Sequence, residues 1–181
     1  MERCRIVFSG SGGQGIITAA ILIAEAAVLY EGLMATQTQS YGAEARGGVT
    51  RADVIIADQR INFPLVNQPN ILVCLTQEAY DKYSSIIRPG GILITDNRYV
   101  LTQKRLSAQQ RELPIYQTII DKIGNPIVLN ICMLGALIGM TKLISFESVM
   151  KAIETHVPAN SLVMNKKALS LGIELGTPFF S

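Results

Sequence analysis

The chain has 181 residues, of which 49% are hydrophobic, and this is enough apolar material for one full-sized core. Charged residues make up only 17%, and 16 Lys and Arg residues against 14 Asp and Glu residues leave a net charge of +2. This balance and the lack of a basic cluster exclude a nucleic-acid interface. The first residues lack the apolar core of a signal peptide, and the apolar run at residues 127–140 is too short to span a bilayer. We therefore expect a soluble, cytoplasmic protein that binds neither nucleic acid nor membrane.

Strands and helices alternate along the first two thirds of the sequence. Apolar and β-branched runs predict strands at residues 5–9, 33–38, 51–57, 61–64, 71–75, 91–95 and 113–116. Helical periodicity predicts helices at residues 14–30, 77–86 and 125–141, and two more that begin after Ser145 and at residue 160 or 161. Gly32 is expected to end the first helix, and Thr76 and Ser145 are expected N-caps.

This alternation predicts one three-layer α/β/α domain over residues 1–181, with a mainly parallel, Rossmann-like sheet. The continuous apolar run at residues 71–75 is typical of a parallel strand buried on both faces. Residues 61–64 are expected to form a short edge strand that Pro64 ends, because proline has no N–H to donate.

Cys4, Cys74 and Cys132 are far apart in the sequence, and each has apolar neighbours. The chain has no C-x-x-C motif and no Cys and His pair at ligand spacing. We therefore expect no metal site and no iron–sulfur cluster in this chain. Buried, reduced thiols are the expected state of all three cysteines.

A glycine loop follows the first predicted strand and precedes the first predicted helix. It consists of Gly10, Ser11, Gly12, Gly13, Gln14 and Gly15, and three of its glycines fit G-x-G-x-x-G. Glycines here permit a tight turn, and the helix N-terminus supplies free N–H groups, so the loop is expected to bind a phosphate or a carboxylate. NAD binding also requires an acid near the end of the second strand, and residues 34–40 contain none. A Walker A loop would need Lys and Ser or Thr after the last glycine, where Ile16 and Ile17 stand.

A polar segment runs from the end of the second predicted strand towards the third. Its candidate site residues are Gln37, Gln39, Tyr41, Glu44, Arg46, Gly47 and Gly48. The planar guanidinium of Arg46 can hold a carboxylate or a phosphate through two hydrogen bonds, and the glycines after it allow a tight backbone. This density of polar side chains beside buried strands indicates a functional loop, although an ordinary flexible loop also gathers glycine and charge.

The C-terminal half supplies mainly structural features. Gly135 and Gly139 lie four residues apart and predict close approach of another helix or chain, while Asn130 is the residue of this helix that could face a site. His156, the only histidine, is expected at a helix C-terminus rather than in catalysis. No catalytic triad, Cys-His pair or carboxylate pair stands out, so no catalytic residue is assigned.

Several motifs spread over most of the chain carry a family resemblance. They are GSGGQG at residues 10–15, TQSYGAEARGG at 38–48, Arg51 with its strand, QEAYDKY at 77–83, PGG at 89–91, and Asn130 with LGA at 134–136. In these motifs the sequence resembles the γ subunit, or γ domain, of the 2-oxoacid:ferredoxin oxidoreductases. This family includes pyruvate and ketoisovalerate oxidoreductases, and TQSYGAEARGG is most similar to the 2-oxoglutarate branch.

The resemblance implies a multi-subunit oxidoreductase that decarboxylates a 2-oxoacid, reduces ferredoxin and forms an acyl-CoA. Thiamine diphosphate, Mg²⁺ and iron–sulfur clusters are then expected in partner subunits, and no cofactor is expected in this chain alone. By position, the glycine loop is the expected contact for coenzyme A. The stretch from Gln37 through Arg46 is the expected interface near the thiamine site. The isolated chain is expected to be inactive.

Two alternatives stay open at this point. A purely structural assembly subunit would depend on its partners and tolerate mutations in the glycine loop, whereas a stand-alone nucleotide-binding oxidoreductase would bind NADH unaided. The sequence also leaves open which 2-oxoacid is used and whether the glycine loop binds CoA or an anionic group of a partner. The stoichiometry of the complex and a homodimer of the isolated chain are equally open.

Overall fold

The computed structural model describes residues 3–40, 48–103 and 105–180. Its strands are β1 (Cys4–Ser11), β2 (Met34–Ser40), β3 (Val49–Ala57), β4 (Ile71–Cys74), β5 (Ile92–Asp96) and β6 (Gln109–Leu113). Its helices are α1 (Ile16–Tyr30), α2 (Gln77–Tyr83), α3 (Ile115–Lys122), α4 (Leu129–Thr141), α5 (Phe146–His156) and α6 (Leu162–Gly176). Short 3₁₀ turns lie at Ser84–Ile86, Pro126–Val128, Ala159–Ser161 and Thr177–Phe179.

The strands form one sheet in the order β2-β3-β1-β4-β5-β6. β1, β4, β5 and β6 pair in parallel, whereas β3 pairs antiparallel with both of its neighbours. Among the described strands only β3 therefore runs against the others, and the predicted mainly parallel α/β sheet is confirmed. The carboxyl ends of β1, β4, β5 and β6 lie at one edge of the sheet, which is where ligand sites form in such folds.

Helices cover the two faces of the sheet unequally. Alternate residues of the strands point to opposite faces, so Ile6 and Phe8 join the core under α1 and α3 to α6, and Val7 joins the core under α2. The second core is completed by Val66 and Val100 from connecting segments. No helix in the described part of the chain is long and apolar enough to cross a membrane.

Helix ends follow the expected capping chemistry. The Thr76 hydroxyl accepts a hydrogen bond from the N–H of Ala79 at 3.2 Å, and the Ser145 hydroxyl accepts one from the N–H of Ser148 at 3.2 Å. Both side chains therefore satisfy a backbone donor at the start of a helix, as the sequence predicts. Gly32 follows the end of α1 with a φ of 67°, in the left-handed region that glycine adopts without strain.

Two predicted strands are wrong. Residues 61–64 form no strand, because β3 is already paired with β1 on one side and β2 on the other and leaves no edge for a returning strand. Residues 113–116 contain the boundary between a strand and a helix. Leu113 is the last residue of β6, and Ile115 is the first residue of α3. Pro114 suits this junction because a helix start does not need its missing N–H.

Candidate functional site

The glycine loop forms a tight connection between β1 and α1. Gly13 and Gly15 have φ angles of 86° and 70°, so both adopt left-handed backbone. The Gln14 side chain holds the turn: its Oε1 accepts from the N–H of Ser11 at 2.8 Å, and its Nε2 donates to the carbonyl of Leu75 at 3.4 Å. The loop is therefore tied to the carboxyl ends of two neighbouring parallel strands.

The N-terminus of α1 is open to an anion. No side chain caps this helix, and its first turn carries no acidic residue. A Cβ atom built on Gly12 or Gly13 would meet no heavy atom within 4 Å, so the space above the loop is free. Unpaired N–H groups and the positive end of the helix dipole favour negative charge at such a position.

Asn130 of α4 contacts the last residue of the glycine loop. Its Nδ2 donates to the carbonyl of Gly15 at 3.3 Å, and the residue is 7% exposed. A cavity of about 310 Å³ opens beside this contact and is lined by Gly13, Gly15, Thr18 and Asn130, among others. The structure thus brings the asparagine that the sequence singled out to the loop.

An aromatic cluster stands beside the loop at the same sheet edge, formed by Asp96, Arg98, Tyr99 and Tyr116. The buried Asp96 carboxylate accepts from the N–H groups of Arg98 and Tyr116 at 2.8 and 2.6 Å. Burial nevertheless raises its pKa above the ordinary value, against those hydrogen bonds. The guanidinium of Arg98 lies 4.7 Å from the Tyr116 ring centre, and the two tyrosine rings meet edge to face at 5.3 Å. Gly13 and Gln14 share a cavity of about 350 Å³ with these tyrosines.

Sequence reasoning missed this aromatic cluster. The available signal was Asp96 itself, an acid two residues after the apolar run Ile92, Leu93 and Ile94, with Thr95 between them. A polar residue at the carboxyl end of a buried parallel strand is a common site position. The contribution of Tyr116 comes from α3, which the sequence did not predict.

The polar segment is only partly described. Tyr41, Glu44, Arg46 and Gly47 lie outside the described residues. Gly48 precedes Val49, which pairs with Ser11 of the glycine loop. The described C-terminal end of the polar segment is therefore next to that loop.

Gln37 and Gln39 lie on the edge strand β2, away from the glycine loop. Gln37 is half-buried in a groove with Val28, Leu29 and His156, and its Nε2 is buried with no acceptor among the described residues. Gln39 is exposed and pairs with Ala52 of β3. These two candidates are not brought together with the loop.

Arg51 has a structural role in β3. Its Nε and Nη2 donate to the Asp53 carboxylate at 2.6 and 2.8 Å, and Nη2 also donates to the carbonyl of Val66 at 2.9 Å. The Asp53 hydrogen bonds raise the pKa of Arg51 above its ordinary value. Its guanidinium also lies 5.2 Å from the Tyr83 ring centre, so this side chain joins β3 to α2 and to the segment before β4.

The thiols and the histidine show ordinary structural environments. Burial raises the pKa of Cys4 to about 11 and that of Cys132 to about 12, so both are protonated near neutral pH. His156 is the last residue of α5, with Nδ1 3.0 Å from the carbonyl of Ala152 and Nε2 3.5 Å from the Glu25 carboxylate. Within the described residues, no three His, Cys, Asp or Glu side chains gather as a metal site would require.

Known proteins place the chain in a family and provide relatives similar to it over nearly its whole length. The chain belongs to the pyruvate ferredoxin/flavodoxin oxidoreductase family, which it matches over residues 5–175. It is 45% identical to the 2-oxoglutarate synthase subunit KorC of Methanocaldococcus jannaschii, over 96% of this chain and 94% of that one. The same subunit of Methanothermobacter marburgensis is 40% identical, over 96% of each chain.

A solved structure matches the whole fold. The γ subunit of a keto/oxoacid ferredoxin oxidoreductase from Geobacter sulfurreducens superposes with a TM-score of 0.90 at 38% identity, over 100% of both chains. The γ-subunit resemblance expected from the sequence motifs is therefore confirmed, and so is the expected fold.

Proposed function

We propose that this chain is the γ subunit of a 2-oxoglutarate:ferredoxin oxidoreductase and that its glycine loop contacts an anionic group of coenzyme A. The reaction is oxidative decarboxylation of the 2-oxoacid with formation of its acyl-CoA. Thiamine diphosphate, Mg²⁺ and iron–sulfur clusters belong in this proposal to partner subunits, and ferredoxin accepts the electrons. The high identity to two 2-oxoglutarate synthase subunits over nearly their whole length supports the substrate.

The open N-terminus of α1 carries the proposal for CoA. Gly12 and Gly13 leave room for a bulky phosphate, and neither a capping side chain nor an acid competes for the N–H groups. The adjacent tyrosine rings offer flat apolar surface, and Arg98 beside them adds a positive charge. Phosphate groups and an aromatic base are both parts of CoA, so the loop and the aromatic cluster suit its nucleotide end.

Gly12→Asp tests this contact with little steric disturbance, because a Cβ at this position meets nothing within 4 Å. In the assembled complex we expect the KM for CoA to rise about tenfold or more, equivalent to about 1.4 kcal/mol, because the new carboxylate repels the anion. Gly12→Asn is the matched control, since it has nearly the same shape and no charge. The KM for 2-oxoglutarate should stay unchanged in both variants.

The result separates the proposal from its alternatives. A Gly12→Asp complex with the CoA kinetics of the wild type would favour a purely structural assembly subunit. Binding of NADH to the isolated chain would instead favour a nucleotide-dependent oxidoreductase, although β2 (Met34–Ser40) contains no acid for a ribose.

We also place the complex in the cytoplasm. The three free cysteines agree with this location, because a reducing compartment keeps thiols from forming disulfides.

A further inference from the structure

A further cavity lies at the opposite edge of the sheet, near the amino ends of β1, β4 and β5. It has a volume of about 710 Å³, and we call it the arginine cavity because Arg3, Arg5 and Arg88 line it together with Phe63, Leu65 and Asn67. No acidic side chain is among the described residues that line it. The cavity is therefore a local concentration of positive charge on a chain whose net charge is only +2.

Within the residues that the structure describes, the guanidinium groups in the arginine cavity have few hydrogen-bond partners. Arg3 donates through Nη2 to the carbonyl of Phe63, but its Nε is buried with no acceptor in the described part of the chain. No ion pair joins Arg3, Arg5 or Arg88 to an acid among the described residues. Unpaired donors in a partly desolvated recess favour an incoming group with several acceptor oxygens.

Apolar side chains stand exposed at the same place. Phe63 and Leu65 are 67% and 63% exposed, although the next residue, Val66, is buried. The residues that follow them are held in place: Arg51 donates to the carbonyl of Val66 at 2.9 Å, and the N–H of Arg5 donates to the Asn70 side chain at 3.0 Å. Exposed apolar groups beside arginines are typical of protein interfaces.

We propose that the arginine cavity docks an acidic segment of another subunit of the oxidoreductase complex. Carboxylates of that segment pair with Arg5 and Arg88, and an apolar side chain next to them packs against Phe63 and Leu65. A small anion would satisfy the arginines but would leave both apolar side chains in water, which is why a polypeptide fits better. This proposal is independent of CoA binding, because the glycine loop lies at the other edge of the sheet.

Charge reversal at the exposed Arg88 is the direct test. The tagged full-length chain is immobilised, and association of the remaining subunits is measured by interferometry at about 50 mM and about 500 mM NaCl. We expect Arg88→Glu to weaken association about tenfold or more at low salt, with a smaller difference at high salt because the effect is electrostatic. Phe63→Ser should weaken association at both salt concentrations. Lys166→Glu, a charge reversal at an exposed position of α6, is the matched control and should bind as the wild type does.

Wild-type affinity in both Arg88→Glu and Phe63→Ser would overturn the proposal. If Phe63→Ser does not fold, Arg88→Glu alone decides, because its side chain is exposed. The rival ligand is a small anion, and it is tested by measuring the melting temperature of the isolated chain with and without pyrophosphate. Stabilisation of the wild type but not of Arg88→Glu, together with unchanged subunit association, would identify a small-anion site and reject the docking surface.

Discussion

At the scale of single residues, position 15 combines a left-handed backbone with no space for a Cβ atom, and only glycine tolerates both. Its φ of 70° is left-handed, and a Cβ atom at this position would lie 2.5 Å from Nδ2 of Asn130. The same Nδ2 donates to the carbonyl of Gly15, so the asparagine cannot move away without losing this hydrogen bond. The end of the glycine loop is consequently fixed to α4.

We expect Gly15→Ala to lower the free energy of unfolding by more than the cost of left-handed backbone alone, which is about 1–2 kcal/mol. The added methyl group must also displace Asn130, and that contact increases the loss. Urea unfolding of the isolated chain, followed by circular dichroism, measures the change. Gly12→Ala is the control and should unfold near the wild-type midpoint, because its Cβ has free space. Equal midpoints for Gly15→Ala and wild type would contradict the expectation.

At the scale of elements, α4 and α6 approach each other through glycines. A Cβ on Gly135 or Gly139 would strike the backbone of α6, and a Cβ on Gly172 or Gly176 would strike the backbone of α4. The spacing of Gly135 and Gly139 predicts a close neighbour but does not identify it. The structure identifies it as a helix of the same chain, so this surface is internal packing.

Gly172→Ala is therefore expected to reverse the usual effect of this substitution in a helix. Alanine normally stabilises a helix interior by about 1 kcal/mol relative to glycine. Here the methyl group would collide with the carbonyl of Cys132, so we expect a net loss of about 3 kcal/mol or more, or failure to accumulate as soluble protein. Lys166→Ala on the exposed side of the same helix should leave the urea midpoint nearly unchanged. A more stable Gly172→Ala variant would show that the helices can separate without cost.

Elements with local signals were predictable, and those defined by their neighbours were not. Apolar runs gave β4 and β5, and side-chain oxygens marked the starts of α2 and α5, because these signals act within a few residues. β6 (Gln109–Leu113) is polar and only its last residue is fully buried, so its sequence carries no apolar run. Its strand state depends on pairing with β5, which local sequence does not reveal.

At the scale of the whole molecule, the two edges of the sheet carry different surfaces. The glycine loop and the aromatic cluster share the carboxyl edge, and the arginine cavity lies at the amino edge. The loop was predictable because its four glycines lie within six consecutive residues. The aromatic cluster was not, because it joins residues after β5 to residues after β6 through strand order. Arg3, Arg88 and Phe63 likewise meet only through topology, since about 25–85 positions separate them along the chain.

The two described ends of the polar segment lie at the same end of the sheet as the glycine loop. Ser40 ends β2 and pairs with Arg51, which in turn pairs with Ser9, while Val49 pairs with Ser11. The chain therefore leaves and re-enters the sheet at the edge that carries the glycine loop. Arg46 itself lies outside the described residues, and a planar guanidinium is chemically suited to bind a carboxylate or a phosphate.

We predict that Arg46→Ala reduces turnover of the assembled complex, or its subunit association, by about tenfold or more, as expected for loss of a charged interface hydrogen bond. The melting temperature of the isolated chain should remain that of the wild type, because the expected partner of Arg46 is outside this chain. Arg46→Lys separates geometry from charge: it should recover association but not full turnover if two parallel hydrogen bonds are required. Normal assembly and normal turnover in Arg46→Ala would reject a role for this arginine. A lower melting temperature of the isolated variant would instead mean that Arg46 acts within its own fold, since only an internal contact is lost when no partner is present.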